Sequence, residues 1–160
     1  MIKNIYNLGD AALYCDFGDT VNKETNLKVI NYFNDIREKN ITGIKNIAPS
    51  YNKLIIYFDL ELTNYKKIKD TVENLDISTF EAAKTKLVKI PVCFDDEFAL
   101  DLERVEKKAG ITKKEIINQL IAQKYFCYMT GFIAGMPFLG DLDENMRVPR
   151  LETPRVKVPK

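Results

Sequence analysis

Residues 3–39, KNIYNLGDAALYCDFGDTVNKETNLKVINYFNDIREK, decide the fold class. Lys3 to Leu8 and Ala11 to Phe17 read as two short strands, and Gly9-Asp10 between them supplies the positive φ of a tight turn. From Asn22 to Lys39 the apolar residues Leu27, Ile30, Phe33 and Ile36 recur every three positions, with Val29 widening the stripe. That spacing predicts an amphipathic helix, with Gly43 following its end.

Downstream, Ile44 to Ala48 and Leu54 to Phe58 predict two more strands around a Pro49-Ser50 turn, and Tyr65, Ile68, Val72 and Leu75 mark a second helical face. The order strand, strand, helix, strand, strand, helix, with an extended Leu87 to Phe94 after it, describes a small α+β sandwich. Its helices cover one face of a mostly antiparallel sheet. A first domain closes near residue 88, dividing the chain into 1–88 and 89–160. In the second region Asp101 to Ala109 predicts a short charged helix ended by Gly110, and Thr112 with Glu115 forms a capping box that opens a helix toward Gln123. Tyr125, Cys127 and Met129 alternate with Phe126 and Tyr128, a strand with two apolar faces and therefore core. The segment Met146 to Lys160 sets Val148, Val156 and Val158 among three prolines, an extended tail whose backbone groups need partners.

Composition narrows the chemistry. The 160 residues suit one ordinary domain or two small ones, and 46% hydrophobic with 29% charged residues is a folded, globular mix. A formal charge of +1 provides no field to gather nucleic acid or an anionic membrane. The chain contains no histidine, which excludes Ser-His-Asp, Cys-His and HExxH mechanisms. Cys15, Cys93 and Cys127 are far apart and form no CxxC pair, so buried free thiols are expected rather than disulfides or a zinc cluster. The start MIKNIYNLGD has no apolar signal core and the longest apolar runs are too short to cross a bilayer, which points to the cytoplasm.

Only five of the 24 basic residues are arginines, and Arg147, Arg150 and Arg155 stand together near the C-terminal end. A planar guanidinium fork in a lysine-rich chain suits bidentate recognition of carboxylate or phosphate. Solubilising charge, or ion pairs with a mildly acidic body, is the plainer alternative. Upstream, Gly131-Phe-Ile-Ala-Gly135-Met-Pro-Phe-Leu-Gly140 sets three glycines and a proline among large apolar residues. Backbone amides could approach a ligand there while Phe132 and Phe138 form a wall, although glycines are also ordinary at bends. The phosphate cradle GxxxxGK[ST] is absent. Asp95, Asp96 and Glu97 form the densest acidic cluster, a candidate acid-base or Mg²⁺ site, or simply a solvated loop entering a helix.

Gly9-Asp10-Ala-Ala-Leu13, Pro49-Ser-Tyr51, Ile90-Pro-Val-Cys93-Phe, Asp101-Leu102-Glu103, Tyr128-Met129, Gly131-Phe132, Gly135, Pro137-Phe-Leu-Gly140, Pro149-Arg150, Thr153-Pro154-Arg155 and Val158-Pro159 together resemble one family. It is the B-subunit family of bacterial ATP-dependent 5-oxoprolinase, also called KipI-like or allophanate hydrolase subunit 1, built on carboxyltransferase subdomains C and D. The resemblance spans the chain. It departs at Leu120, where the family usually has His, at Ala134, Met136 and at Asp95-Asp96. It implies an N-terminal module of ferredoxin-like character, followed from about residue 89 by the start of a cyclophilin-like β-barrel that family members continue past Val158-Pro159. It also implies hydrolysis of 5-oxoproline to glutamate with cleavage of ATP, accompanied by Mg²⁺, in a complex with the homologous C and the separate A subunits. Arg150 and Arg155 are then the residues expected to bind the substrate carboxylate or phosphoryl oxygens, with Gly131, Phe132, Gly135 and Phe138 shaping the pocket. The same resemblance carries two other readings, an inhibitor of a sensor histidine kinase and a truncated remnant without activity. No catalytic base is identified by the sequence.

Overall fold

In a computed structural model of the chain, residues 1–76 and 86–158 are described. The elements are β1 (Asn4–Asn7), β2 (Ala12–Asp16), α1 (Lys23–Lys39), β3 (Ile44–Pro49), β4 (Lys53–Phe58), α2 (Tyr65–Glu73), α3 (Leu102–Ala109), α4 (Lys113–Ala122), β5 (Phe126–Thr130) and β6 (Pro137–Gly140), then a 3-10 turn at Glu144–Met146. Pro159 and Lys160, at the end of the proline-rich motif, lie outside the described residues, as does 77–85 before the expected domain boundary. The chain is a mixed α+β protein. It groups into two compact units, Met1–Thr85 with Cys127–Phe138 and Lys86–Phe126 with Leu139–Lys160.

In the first unit the sheet order is β1-β2-β4-β3 and every neighbouring pair is antiparallel. The central strands place Leu13 opposite Ile56 and Cys15 opposite Leu54. Because side chains alternate across a strand, these four, with Phe17 and Phe58, share the inner face and are buried. Val29, Tyr32 and Ile36 of α1 and Ile68 and Val72 of α2 complete this core. Burying a Leu, Ile or Phe side chain contributes about 1.5–3 kcal/mol, so this face accounts for most of the unit's hydrophobic stabilisation.

The helix α1 begins where Asn22 accepts a 2.8 Å hydrogen bond from the Thr25 amide, and ends at Asn40 in the left-handed region. Its buried positions are Asn26, Val29, Tyr32 and Ile36, whereas Leu27, Ile30 and Phe33 are only half-buried. The predicted stripe is therefore rotated. A strict three-residue spacing drifts by roughly 60° per step around a helix of 3.6 residues per turn, and the observed 3-3-4 spacing follows the helix face.

In the second unit α3 ends at Gly110 with φ 68°, and Thr112 and Glu115 form the expected capping box at the start of α4. The expected strand at Leu87 to Phe94 does not join a sheet among the described residues. Leu87, Val88, Ile90 and Val92 are 61–64% exposed there. Pro91 also removes one donor from any ladder. The thiols need a correction too: Cys15 is buried, but Cys93 and Cys127 are exposed. Cys93 belongs to the unpaired stretch, and Cys127 faces away from the packing made by Tyr128, its neighbour on the other strand face. The strand β5 is core only through Tyr128; Phe126 and Met129 are half-buried.

Candidate functional site

The six candidate residues divide between the two units, four in the first and two in the second. In the first unit β5 and β6 pair, and the turn between them is closed by the Gly131 amide donating to the Met136 carbonyl at 3.1 Å. Phe132 and Gly135 both have positive φ, 67° and 80°. For Gly135 this is a conformation that costs a side-chain-bearing residue about 1–2 kcal/mol; Phe132 bears it. Phe132 points into solvent, 90% exposed, whereas Phe138 is half-buried and packs edge-on against Tyr51 with ring centroids 6.3 Å apart. The two phenylalanines thus have different surroundings. A Cβ at Gly131 would stand 3.1 Å from the Met129 side chain, so this glycine permits a close approach.

What holds β5 in place is Asn26. Its carboxamide nitrogen, almost fully buried, donates to the carbonyls of Tyr51 at 2.9 Å, Tyr128 at 3.0 Å and Ser50 at 3.3 Å. Tyr51 and Tyr128 stack with centroids 5.6 Å apart, and the Ser50 hydroxyl donates to the Met129 sulfur at 3.3 Å. A buried amide satisfied in this way fixes a unique arrangement, because losing any partner strands a polar group away from water. Sequence reasoning missed Asn26, which hydropathy counts as a surface residue. The signal was present: Asn26 completes the 3-3-4 series with Val29, Tyr32 and Ile36.

In the second unit Arg155 is not free. Its two terminal nitrogens donate to both Asp101 oxygens at 2.8 and 2.9 Å, and Arg104 adds a third contact to Asp101 at 3.0 Å. Arg155, and secondarily Arg104, hold the Asp101 carboxyl well below the usual range, and Asp101 raises the Arg155 guanidinium in turn. Arg150 is exposed and has no ion pair among the described residues. Arg104 also donates to the Pro149 carbonyl at 2.9 Å, and Lys108 to the Arg147 carbonyl. The plainer expectation, ion pairing of the tail arginines, therefore holds for Arg155.

The acidic cluster is partly neutralised. Asp96 pairs with Lys113, which lowers the carboxyl and raises the ammonium, while the Asp95 carbonyl accepts from the Phe98 and Ala99 amides at 2.9 Å. Among the described residues no group of three or more acidic or thiol side chains is placed to hold a metal. The sequence has no GxxxxGK[ST] phosphate cradle, and Arg155 is engaged with Asp101, which leaves Arg150 as the tail guanidinium without an ion pair among the described residues. No helix among them is long and apolar enough to cross a membrane.

Comparison with known proteins adds a lineage to this geometry. Residues 3–160 match the family described as carboxyltransferase domain, subdomain C and D. The chain is similar to the 5-oxoprolinase B subunit of Bacillus subtilis (strain 168), with 29% identity over 97% of this chain and 70% of that one. It is also similar to the 5-oxoprolinase B subunit of Haemophilus influenzae, with 28% identity over 98% of this chain and 72% of the relative. Among solved structures, the crystal structure of TTHA0988 superposes with a TM-score of 0.80 at 25% identity, over 94% of this chain. This chain spans only 29% of TTHA0988.

Proposed function

The chain belongs to the carboxyltransferase domain, subdomain C and D, family, and from that premise we propose that it is one subunit of an ATP-dependent complex that hydrolyses 5-oxoproline to glutamate. The observation that carries this reading is the similarity, along nearly the whole chain, to the 5-oxoprolinase B subunit from two organisms. Residues 1–88 are the N-terminal module in this reading, and 89 onward begin a cyclophilin-like barrel. Its partners are the homologous C and the separate A subunits, and the setting is the cytoplasm.

A lactam amide is a poor electrophile, and cleavage of ATP by the complex supplies the driving force for opening it. No step of that activation is assigned to this chain. Its own contribution is to bind and orient an anion. Arg150, an exposed guanidinium with no ion pair among the described residues, takes the substrate carboxylate or a phosphoryl oxygen. Arg155 reaches the same kind of group only by releasing Asp101. The turn carrying Gly131, Phe132 and Gly135, with Phe138 behind it, shapes the pocket beside a partner protein, and the solvent-exposed Phe132 ring is a ready contact for it.

Co-expression with the A and C subunits, omitting each protein in turn, tests the reading by 5-oxoproline-dependent phosphate release. Release that requires this chain is the expected result. Release that persists at full rate without it overturns the assignment.

A further inference from the structure

The tail is gripped by α3 through a geometric match. Arg104 and Lys108 are four residues apart on α3, so they lie on one face about 6 Å apart along the axis. The carbonyls they hold, Pro149 and Arg147, are two residues apart on a segment that is extended at Arg147 (φ −76°, ψ 111°). Two residues of extended chain advance about 6.6 Å, nearly the helix spacing. Below this contact Met146 is buried, 3% exposed, in the 3-10 turn that packs on α3. Beyond it Arg155 closes on Asp101, the residue that immediately precedes α3. The strap is thus tied at Met146, Arg147, Pro149 and Arg155, with Arg150 standing between ties and without an ion pair among the described residues.

We infer that Asp101, Arg104 and Lys108 are positioning residues that fasten 146–155 along α3 and so present Arg150 as the anion-binding guanidinium, while Arg155 is a fastening rather than a ligand. This rests on the reading above for the identity of the anion, but not for the strap. Surface ion pairs are ordinarily weak; a bidentate arginine whose carboxylate is shared with a second arginine is the geometry in which they matter. The arrangement also explains why arginine rather than lysine stands at 155, since an ammonium cannot engage both oxygens in a fork.

The test uses the full chain, alone and in the assembled complex, with Asp101→Asn, Arg155→Gln, the double variant and Asp101→Glu. Tryptic cleavage after Arg147 and Arg150 reads the strap directly. Asp101→Asn and Arg155→Gln should each raise the cleavage rate severalfold, the double variant should add little to either, and Asp101→Glu should largely restore protection. In the complex the same two variants should raise KM for 5-oxoproline severalfold with kcat nearly kept. Unchanged cleavage, or fully additive effects, overturns the strap. Raised cleavage with unchanged KM, in a complex where Arg150→Ala does impair turnover, overturns the positioning of Arg150. If Arg150→Ala leaves turnover intact while cleavage responds as expected, the strap stands and the anion-binding reading of Arg150 is what has failed.

Discussion

Asn26 and Tyr128 are separated by 102 positions and joined by a 3.0 Å hydrogen bond from the buried carboxamide to the strand carbonyl. This one side chain also holds the Ser50 and Tyr51 carbonyls, so the turn between β3 and β4 and the strand leading into Gly131 share a single donor. Asn26→Leu removes that donor and strands buried acceptors, and should destabilise the first unit by roughly 1–3 kcal/mol in denaturant titrations. Asn26→Asp should be worse, because a carboxylate would face carbonyl oxygens. Hydrogen exchange in β5 should rise in both, whereas loss of the Asn22 cap should cost about 1 kcal/mol and leave β5 protection nearly unchanged.

Arg150→Ala should leave the melting temperature of the chain within measurement error, since the residue is exposed and has no ion pair among the described residues. Phosphate release by the assembled complex should fall by at least about tenfold, the scale of a lost charge-assisted contact. Unchanged turnover removes Arg150 from the site.

The Asp101 carboxyl lies below its ordinary 3.8 because Arg155 and Arg104 stabilise its charged form. A lowered carboxyl contributes stability that is complete above the unfolded value and is lost as the pH falls through the folded one. The difference in tail protection between the parent chain and Asp101→Asn should therefore be constant from neutral pH down to about 5, and shrink only below 3.8. Exchange measured between about pH 3 and 7 checks this. A difference that already vanishes near neutrality, well above 3.8, would mean another group controls the strap.

Burial pushes the Cys15 thiol up to about 12, so almost none is thiolate near neutrality. In mildly alkaline buffer a maleimide should label Cys93 and Cys127, both exposed, and spare Cys15 until the chain is unfolded. Peptide mass spectrometry distinguishes the three.

Gly43 has φ 89°, and a Cβ there would stand 2.7 Å from the Thr63 methyl. Gly43→Ala should cost more than Gly9→Ala, whose φ is 63° but whose Cβ would meet nothing within 4 Å. The second should lose about 1–2 kcal/mol from backbone conformation alone. Equal losses in thermal or denaturant melts would show that Thr63 moves aside freely.

The ββαββα order was legible because each element carries its own local signal: glycine at the first hairpin, short apolar runs in β2 and β4, and helical spacing of apolar residues in α1 and α2. Those signals act over a few residues. Asn26 with Tyr128, and Asp101 with Arg155 across 54 positions, were not legible, because no periodicity links residues that meet only after folding. Hydropathy also counts Asn26 and Tyr32 against a buried stripe, which turned the predicted face of α1 toward Leu27 and Ile30. The tail showed the mirror-image difficulty. Its arginines stood out by composition, but composition cannot tell a guanidinium that awaits a ligand from one that already has a carboxylate.

Because α3 holds carbonyl oxygens at 147 and 149 rather than side chains, the grip reads spacing and is nearly blind to residue type. Substitution at Val148 leaves both acceptors where they were. An inserted or deleted residue between them moves one acceptor by about 3.3 Å and turns it to the opposite side of the strand. Across descendants of this chain, drift at 147–149 should therefore accumulate as exchanges of one amino acid for another, with the number of residues frozen.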